Sequence, residues 1–375
     1  MKVSKALLLE ALKKCMPGVD NGNALLEGAD AVVMEDGWIH SFNDSISISV
    51  PVPELAGLIG AVRAKEFYTV ISKLSAVEID ITSGEKSLTI SGGKANIEMT
   101  LLENSMKGRI KAVLEAVDTW EALPEDFKDA LEACKFSCNT SGMAGIFVAD
   151  GIMSATDEKR VNQWVMKGEM GRFWITDPSA GELMKFKGLS EYALSSSWLH
   201  IKTDTGLFFS CKRLADDRWP LAAVNRILAA HEVEEGDLSN TMPLGVLSAV
   251  ERAAALYTDV NGFKAVQLSF SADKIEISSK HAAGKYHESV EWDQGFAKKF
   301  PPFKVFVEPS LVQYAFSRAA TFYIKTITSG TKNSTRLVFT SDSFKHVMST
   351  IDEGAGKVER PAKAEKPAKE EKADS

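Results

Sequence analysis

Three stretches decide how this chain folds: KALLLEALKKCM (5–16), PEDFKDALEACK (124–135) and PLGVLSAVERAAALY (243–257). They are evenly spaced, since 124 − 5 and 243 − 124 are both 119. At that shift Leu8 falls on Phe127 and Val246, and Ala11 on Ala130 and Ala249. Leu12 falls on Leu131 and Val250, and Cys15 on Cys134 and Ala253. Offsets of three, four and seven residues mark one face of an amphipathic helix. The same helix is therefore expected three times, with a small alanine where helix and sheet approach most closely.

Each helix is followed by a hairpin signal. AVVMEDGWIHSF turns at Asp36-Gly37 and IFVADGIMSA at Asp150-Gly151, while VQLSFSADKIEIS turns, with a weaker cue, near Asp273-Lys274. Asp-Gly between alternating apolar residues favours the tight turn that needs positive φ. A further strand follows each hairpin: SISISVPV, RVNQWVM and YHESVEW. A second helix is then expected in AKEFYTVISKL (64–74), DPSAGELMKF (177–186) and EPSLVQYAFSRA (308–319). Two of these carry proline in the first turn, where its missing N–H costs nothing. More alternating strands close each segment.

The expected fold class is thus α+β: three similar domains, each of two units that pair a helix with antiparallel sheet. The boundaries are 1–118, 119–234 and 235–352. Residues 353–375, EGAGKVERPAKAEKPAKEEKADS, hold no aromatic residue and balance six basic against six acidic side chains. They offer too little apolar surface to offset ordering entropy, so this tail is expected to be disordered.

Composition narrows the function. With 45% hydrophobic and 25% charged residues the chain reads as a soluble globular protein, with no apolar run of membrane-spanning length. Lys13 and Lys14 interrupt the leucines of the first helix, so it is not a signal peptide and the expected location is cytoplasmic. The four cysteines are too few to staple 375 residues, and the Cys134/Cys138 pair lacks two further metal ligands nearby. Neither metal nor cofactor is expected. A net charge of −7 does not suggest a nucleic-acid binder, but basic residues confined to one surface would permit it.

The run ATDEKRV (155–161) crowds polar side chains at a strand end. An enzyme built on the Asp157–Arg160 loop is one reading. No Ser, His and Asp constellation supports it, and Gly92-Gly93-Lys94 lacks phosphate-loop spacing. A viral structural or scaffold protein of repeated α+β units is the second alternative.

The order of these motifs resembles a known family. AKEFYTVISKL, ATDEKRV, RLADDRWP (213–220), VERAAAL (250–256) and FKHVMSTI (344–351) are similar, in sequence and spacing over 1–352, to motifs of the bacterial β sliding clamp, the processivity subunit of DNA polymerase III. The divergence suggests a phage-encoded or otherwise remote relative. The resemblance implies a DNA clamp fold, and two chains joined head to tail into a ring around double-stranded DNA. It implies no catalysis, and a pocket that docks peptides of the polymerase and clamp loader. Carried over, the pocket residues are Thr156, Lys159, Arg160, Val161, Ile227, Val347 and Met348. Val161 replaces the usual leucine and Ser349 the usual proline, so the preferred peptide is open, and the tail is a candidate for tuning the site. The candidate DNA-facing cations are Lys13, Lys14, Lys65, Lys73, Lys128, Lys135, Lys185, Arg252 and Arg318. The homodimer interface is expected at Ile97 on one chain and Ala255 and Leu256 on the next.

Overall fold

A computed structural model describes residues 1–351 apart from 21–26, 104–106, 115–116, 118, 139–144, 158, 233–239, 242, 244, 261, 272, 292–302 and 330–331. The tail 353–375 lies outside the described residues. Eight helices are seen among the described residues: α1 Lys5–Cys15, α2 Ala64–Lys73, α3 Lys107–Leu114, α4 Phe127–Lys135, α5 Asp177–Leu183, α6 Leu221–Ala229, α7 Val246–Ala254 and α8 Pro309–Arg318.

The repeat appears in what each helix buries. Leu8, Ala11, Leu12 and Cys15 of α1 are buried, as are Phe127, Ala130, Leu131 and Cys134 of α4 and Val246, Ala249, Val250 and Ala253 of α7. The C-terminal turn of each helix is secured in the same way. Ser41 donates its hydroxyl to Cys15 O at 2.7 Å, Asn162 its amide to Ala133 O at 2.7 Å, and Ser279 its hydroxyl to Ala253 O at 2.9 Å. Carbonyls of a last turn have no partner inside the helix, so a side chain from the sheet below supplies one. α2, α5 and α8 pack on α1, α4 and α7 respectively. Of these, α5 is capped by Thr176, whose Oγ1 accepts the Ser179 N–H at 3.3 Å.

Both strong hairpin cues form tight turns. Asp36 and Gly37 have φ of 49° and 82°, and Asp150 and Gly151 have 53° and 71°. Positive φ at both central residues is what a two-residue turn between right-twisted strands demands.

The strand pairings among the described residues are antiparallel. The residues group into two compact units, one built from Met1–Glu232 and Thr340–Val347, the other from the remaining described residues. In the first unit, Lys2–Ser4, Glu78–Ser83, Ser87–Gly92 and Ala95–Thr100 form one sheet in that order. An eight-stranded sheet runs Gly60–Arg63, Ala31–Glu35, Trp38–Phe42, Ile46–Pro51, Phe208–Lys212, Trp198–Thr203, Leu189–Leu194, Glu121–Ala122. At its middle Ile46–Pro51 pairs with Phe208–Lys212, joining the first repeat to the second without a break. His40 and Ser49 on one side of this seam are hydrogen-bonded at 2.7 Å, and His200 and Ser210 on the other at 2.9 Å. A third sheet runs Phe173–Thr176, Gly145–Ala149, Ile152–Thr156, Arg160–Val165 and then the first part of Phe344–Ser349.

In the second unit Thr258–Val260, Phe263–Phe270, Lys274–His281 and Gly284–Glu291 follow in order, with Phe303–Val307 also on Phe263–Phe270. Sequence reasoning missed α3 and α6, which lie between the repeats. It also ran the helix of 177–186 too long: α5 ends at Leu183, so Lys185 lies in the turn beyond it rather than on a helix. No helix among the described residues is long and apolar enough to cross a membrane.

Candidate functional site

The polar run at 155–161 is a self-contained turn. The Asp157 carboxylate accepts the Lys159 and Arg160 backbone N–H groups, both at 3.1 Å, and the Arg160 Nε–H at 2.8 Å. Thr156 donates its hydroxyl to Arg160 O at 2.8 Å. An aspartate that bonds backbone two and three residues ahead is the usual way to fix such a turn. Its capacity is spent on structure, which argues against a catalytic carboxylate. The Arg160 guanidinium lies 4.2 Å over the Phe136 ring, and its side chain is only 8% exposed. Its Nη1 is buried with no hydrogen-bond partner among the described residues.

Behind the turn, Asn162 Oδ1 is hydrogen-bonded to His346 Nδ1 on the closing strand, and both residues are fully buried. Burial, with Arg160 nearby as a second cause, pushes the His346 imidazole down to about 3, so the ring is neutral. Lys345 donates its ammonium to Leu228 O at 2.9 Å, tying the same strand to α6. Thr156, Val161 and Val347 are buried, Lys159 is exposed, and Ile227 is half-buried on α6. Within the first unit, the turn, α6 and the start of the closing strand therefore form one surface. Met348 is fully buried. Phe136, Asn162 and His346 were missed by sequence reasoning. Only the Asp157 turn had a local signal.

The candidate cations divide into groups. Lys14 pairs with Glu10 at 2.8 Å, Lys135 with Asp177 at 2.9 Å, and Lys185 with Glu182 at 2.7 Å. Arg252 grips Glu288 with two nitrogens, the shortest contact being 2.7 Å, and also donates to Tyr286. Arg318 lies over the Tyr314 ring at 5.2 Å. Lys13, Lys65, Lys73 and Lys128 have no acidic partner among the described residues. Four of the nine converge. A cleft of about 550 Å³ is bordered by Lys13, Lys65 and Lys185, with Asp20 and Glu182 on its walls. An adjoining cleft of about 560 Å³ shares Lys13 and Lys185 and adds Lys14 and Lys187, with Glu10 and Asp204.

Ile97 is half-buried on Ala95–Thr100, the end strand of its sheet. In the second unit the end strand is Gly284–Glu291, whereas Ala255 and Leu256 follow the end of α7. The remaining thiols are inert. Burial raises Cys15 and Cys211 and pushes Cys138 up to about 12. No group of three metal-ligating side chains occurs among the described residues.

The chain superposes on a DNA polymerase III β chain from Streptococcus pneumoniae with a TM-score of 0.75, covering 94% of this chain and 99% of that one. The chain has the sliding-clamp fold. Sequence identity over that match is 17%. A Bacillus subtilis DNA polymerase sliding clamp matches at a TM-score of 0.74 and 17% identity, covering 94% and 98%. A Helicobacter pylori β clamp in complex with diflunisal matches at 0.72 and 14%, covering 94% and 99%. No protein-family model matches the sequence, and no curated protein does. The fold is thus shared with these clamps at sequence identities of 14% to 17%.

Proposed function

We propose that this protein is a DNA sliding clamp, a non-catalytic processivity factor of DNA replication. Two chains close head to tail around double-stranded DNA, and the ring tethers a polymerase and its loader. The match to sliding clamps over 94% of the chain carries this reading. The repeat supports three domains, 1–118, 119–234 and 235–352, of which the first compact unit holds two. A ring retains DNA by enclosure, so contact with phosphates need only be weak and indifferent to sequence. A net charge of −7 with lysines gathered in one cleft suits that demand. The setting would be cytoplasmic.

The partner-peptide site on this reading comprises Thr156, Lys159, Arg160, Val161, Ile227, Val347 and Met348. Apolar side chains would supply most of the binding free energy, and charged groups at the rim, the exposed Lys159 among them, would set the peptide's orientation. Ring closure would use the two end strands, Ala95–Thr100 of one chain and Gly284–Glu291 of the next. Among the described residues each is the last strand of its sheet, with a backbone edge that a partner strand can satisfy. The helix end at Ala255 and Leu256 would flank that seam.

Retention on DNA circles tests the function. Purified protein assembled on a nicked circle should co-elute with it and be released when the circle is cut once. Equal retention on circular and linear DNA would overturn the reading.

A further inference from the structure

We infer that the cleft where α1, α2 and the turn after α5 meet is the main phosphate-binding surface of this chain, and that the helix cations of the second unit contribute little. The inference rests on the clamp reading and says which part of the ring touches the duplex. Five lysines border the two adjoining clefts: Lys13, Lys14, Lys65, Lys185 and Lys187. Two are already neutralised, Lys14 by Glu10 and Lys185 by Glu182. Lys13, Lys65 and Lys187 have no acidic partner among the described residues, and all three are exposed. They reach the cleft from three separate elements, so no single helix face explains their convergence.

The second unit differs. Arg252 is held in two-nitrogen contact with Glu288 and bonded to Tyr286, so its donors point at the Gly284–Glu291 strand. A guanidinium committed in this way has little to offer a phosphate, because binding one would first break a charge-assisted pair. Arg318 covers an aromatic ring instead. Asp20 and Asp204 also line the clefts, so acidic side chains sit among the lysines and moderate their field. They keep it attractive but weak, which a sliding contact requires.

The salt dependence of binding to a short labelled duplex decides the matter. Each phosphate neutralised contributes about 0.9 to the slope of log K against log salt. The triple variant Lys13→Ala, Lys65→Ala, Lys187→Ala should lower that slope by about 2 to 3 for each chain of the ring that touches the duplex, and the matching triple Lys→Arg variant should restore it. The double variant Arg252→Ala, Arg318→Ala should keep the wild-type slope. An unchanged slope in the lysine triple, an equal drop in the arginine double, or no salt-dependent binding by the wild type would each overturn the inference. The circle assay separates its failure from that of the clamp reading. Wild-type protein that stays on circles but not on linear DNA remains a clamp even if these lysines prove irrelevant.

Discussion

Acidification should unfold the first unit well before its carboxylates titrate. His40, His200 and His346 all lie in it, and burial pushes their imidazoles down to about 4, about 4 and about 3. An unfolded histidine titrates near ~6.5. Between those values the unfolded chain binds protons that the folded chain does not. Stability therefore rises with pH across the window, and is lost as pH falls from about 6.5 toward about 4. At pH 5 each ring taken alone would cost about 2 kcal/mol relative to pH 7. Discounting His40, which is only half-buried, leaves about 4 to 5 kcal/mol for the three, a large part of a domain's stability. The structure says where the loss is felt. His40 and His200 flank the seam of the eight-stranded sheet through Ser49 and Ser210, and His346 bonds Asn162 behind the Asp157 turn. Urea unfolding at pH 7 and pH 5, with histidine titrations followed by NMR, measures it. Equal stability at both pH values, or three rings titrating near ~6.5, would refute the argument.

Three further outcomes are expected. Asn162→Ala removes two buried hydrogen bonds, to Ala133 O and to His346, and should cost about 2 to 4 kcal/mol in urea unfolding; a loss below about 0.5 kcal/mol would show that neither matters. Arg160→Ala removes the Asp157 ion pair that fixes the turn and should weaken binding of a clamp-directed polymerase peptide by at least about tenfold, as read by calorimetry; unchanged affinity would remove Arg160 from the site. Ile97→Asp, on the end strand of its sheet, should shift the sedimenting species from twice the 40.8 kDa chain mass to the chain mass without loss of helix signal; an unshifted dimer would place the interface elsewhere.

What the sequence revealed and what it hid follow from physical range. The faces of α1, α4 and α7 were legible because helical spacing is local and repeated three times, and the Asp36-Gly37 and Asp150-Gly151 turns because their backbone demand is written in two residues. α3 was not, being short and flanked by no strong signal, and α6 was not, since its residues LAAVNRILA follow Pro220 without a polar cap. The fate of the cations was illegible. Arg252 looks like any exposed helix arginine until the strand carrying Glu288, 36 residues on, is folded against it. The Asn162–His346 bond spans 184 residues, and no local pattern announces it. The Asp157 turn shows the converse. Its crowded charges suggest chemistry, and only the geometry shows a carboxylate already occupied with its own backbone.

Electron microscopy of the purified protein addresses enclosure itself. Particles should be closed rings of two chains, with an opening wide enough to pass a double helix. Filled particles, or open chains that never close at concentrations where the dimer is complete, would contradict the account.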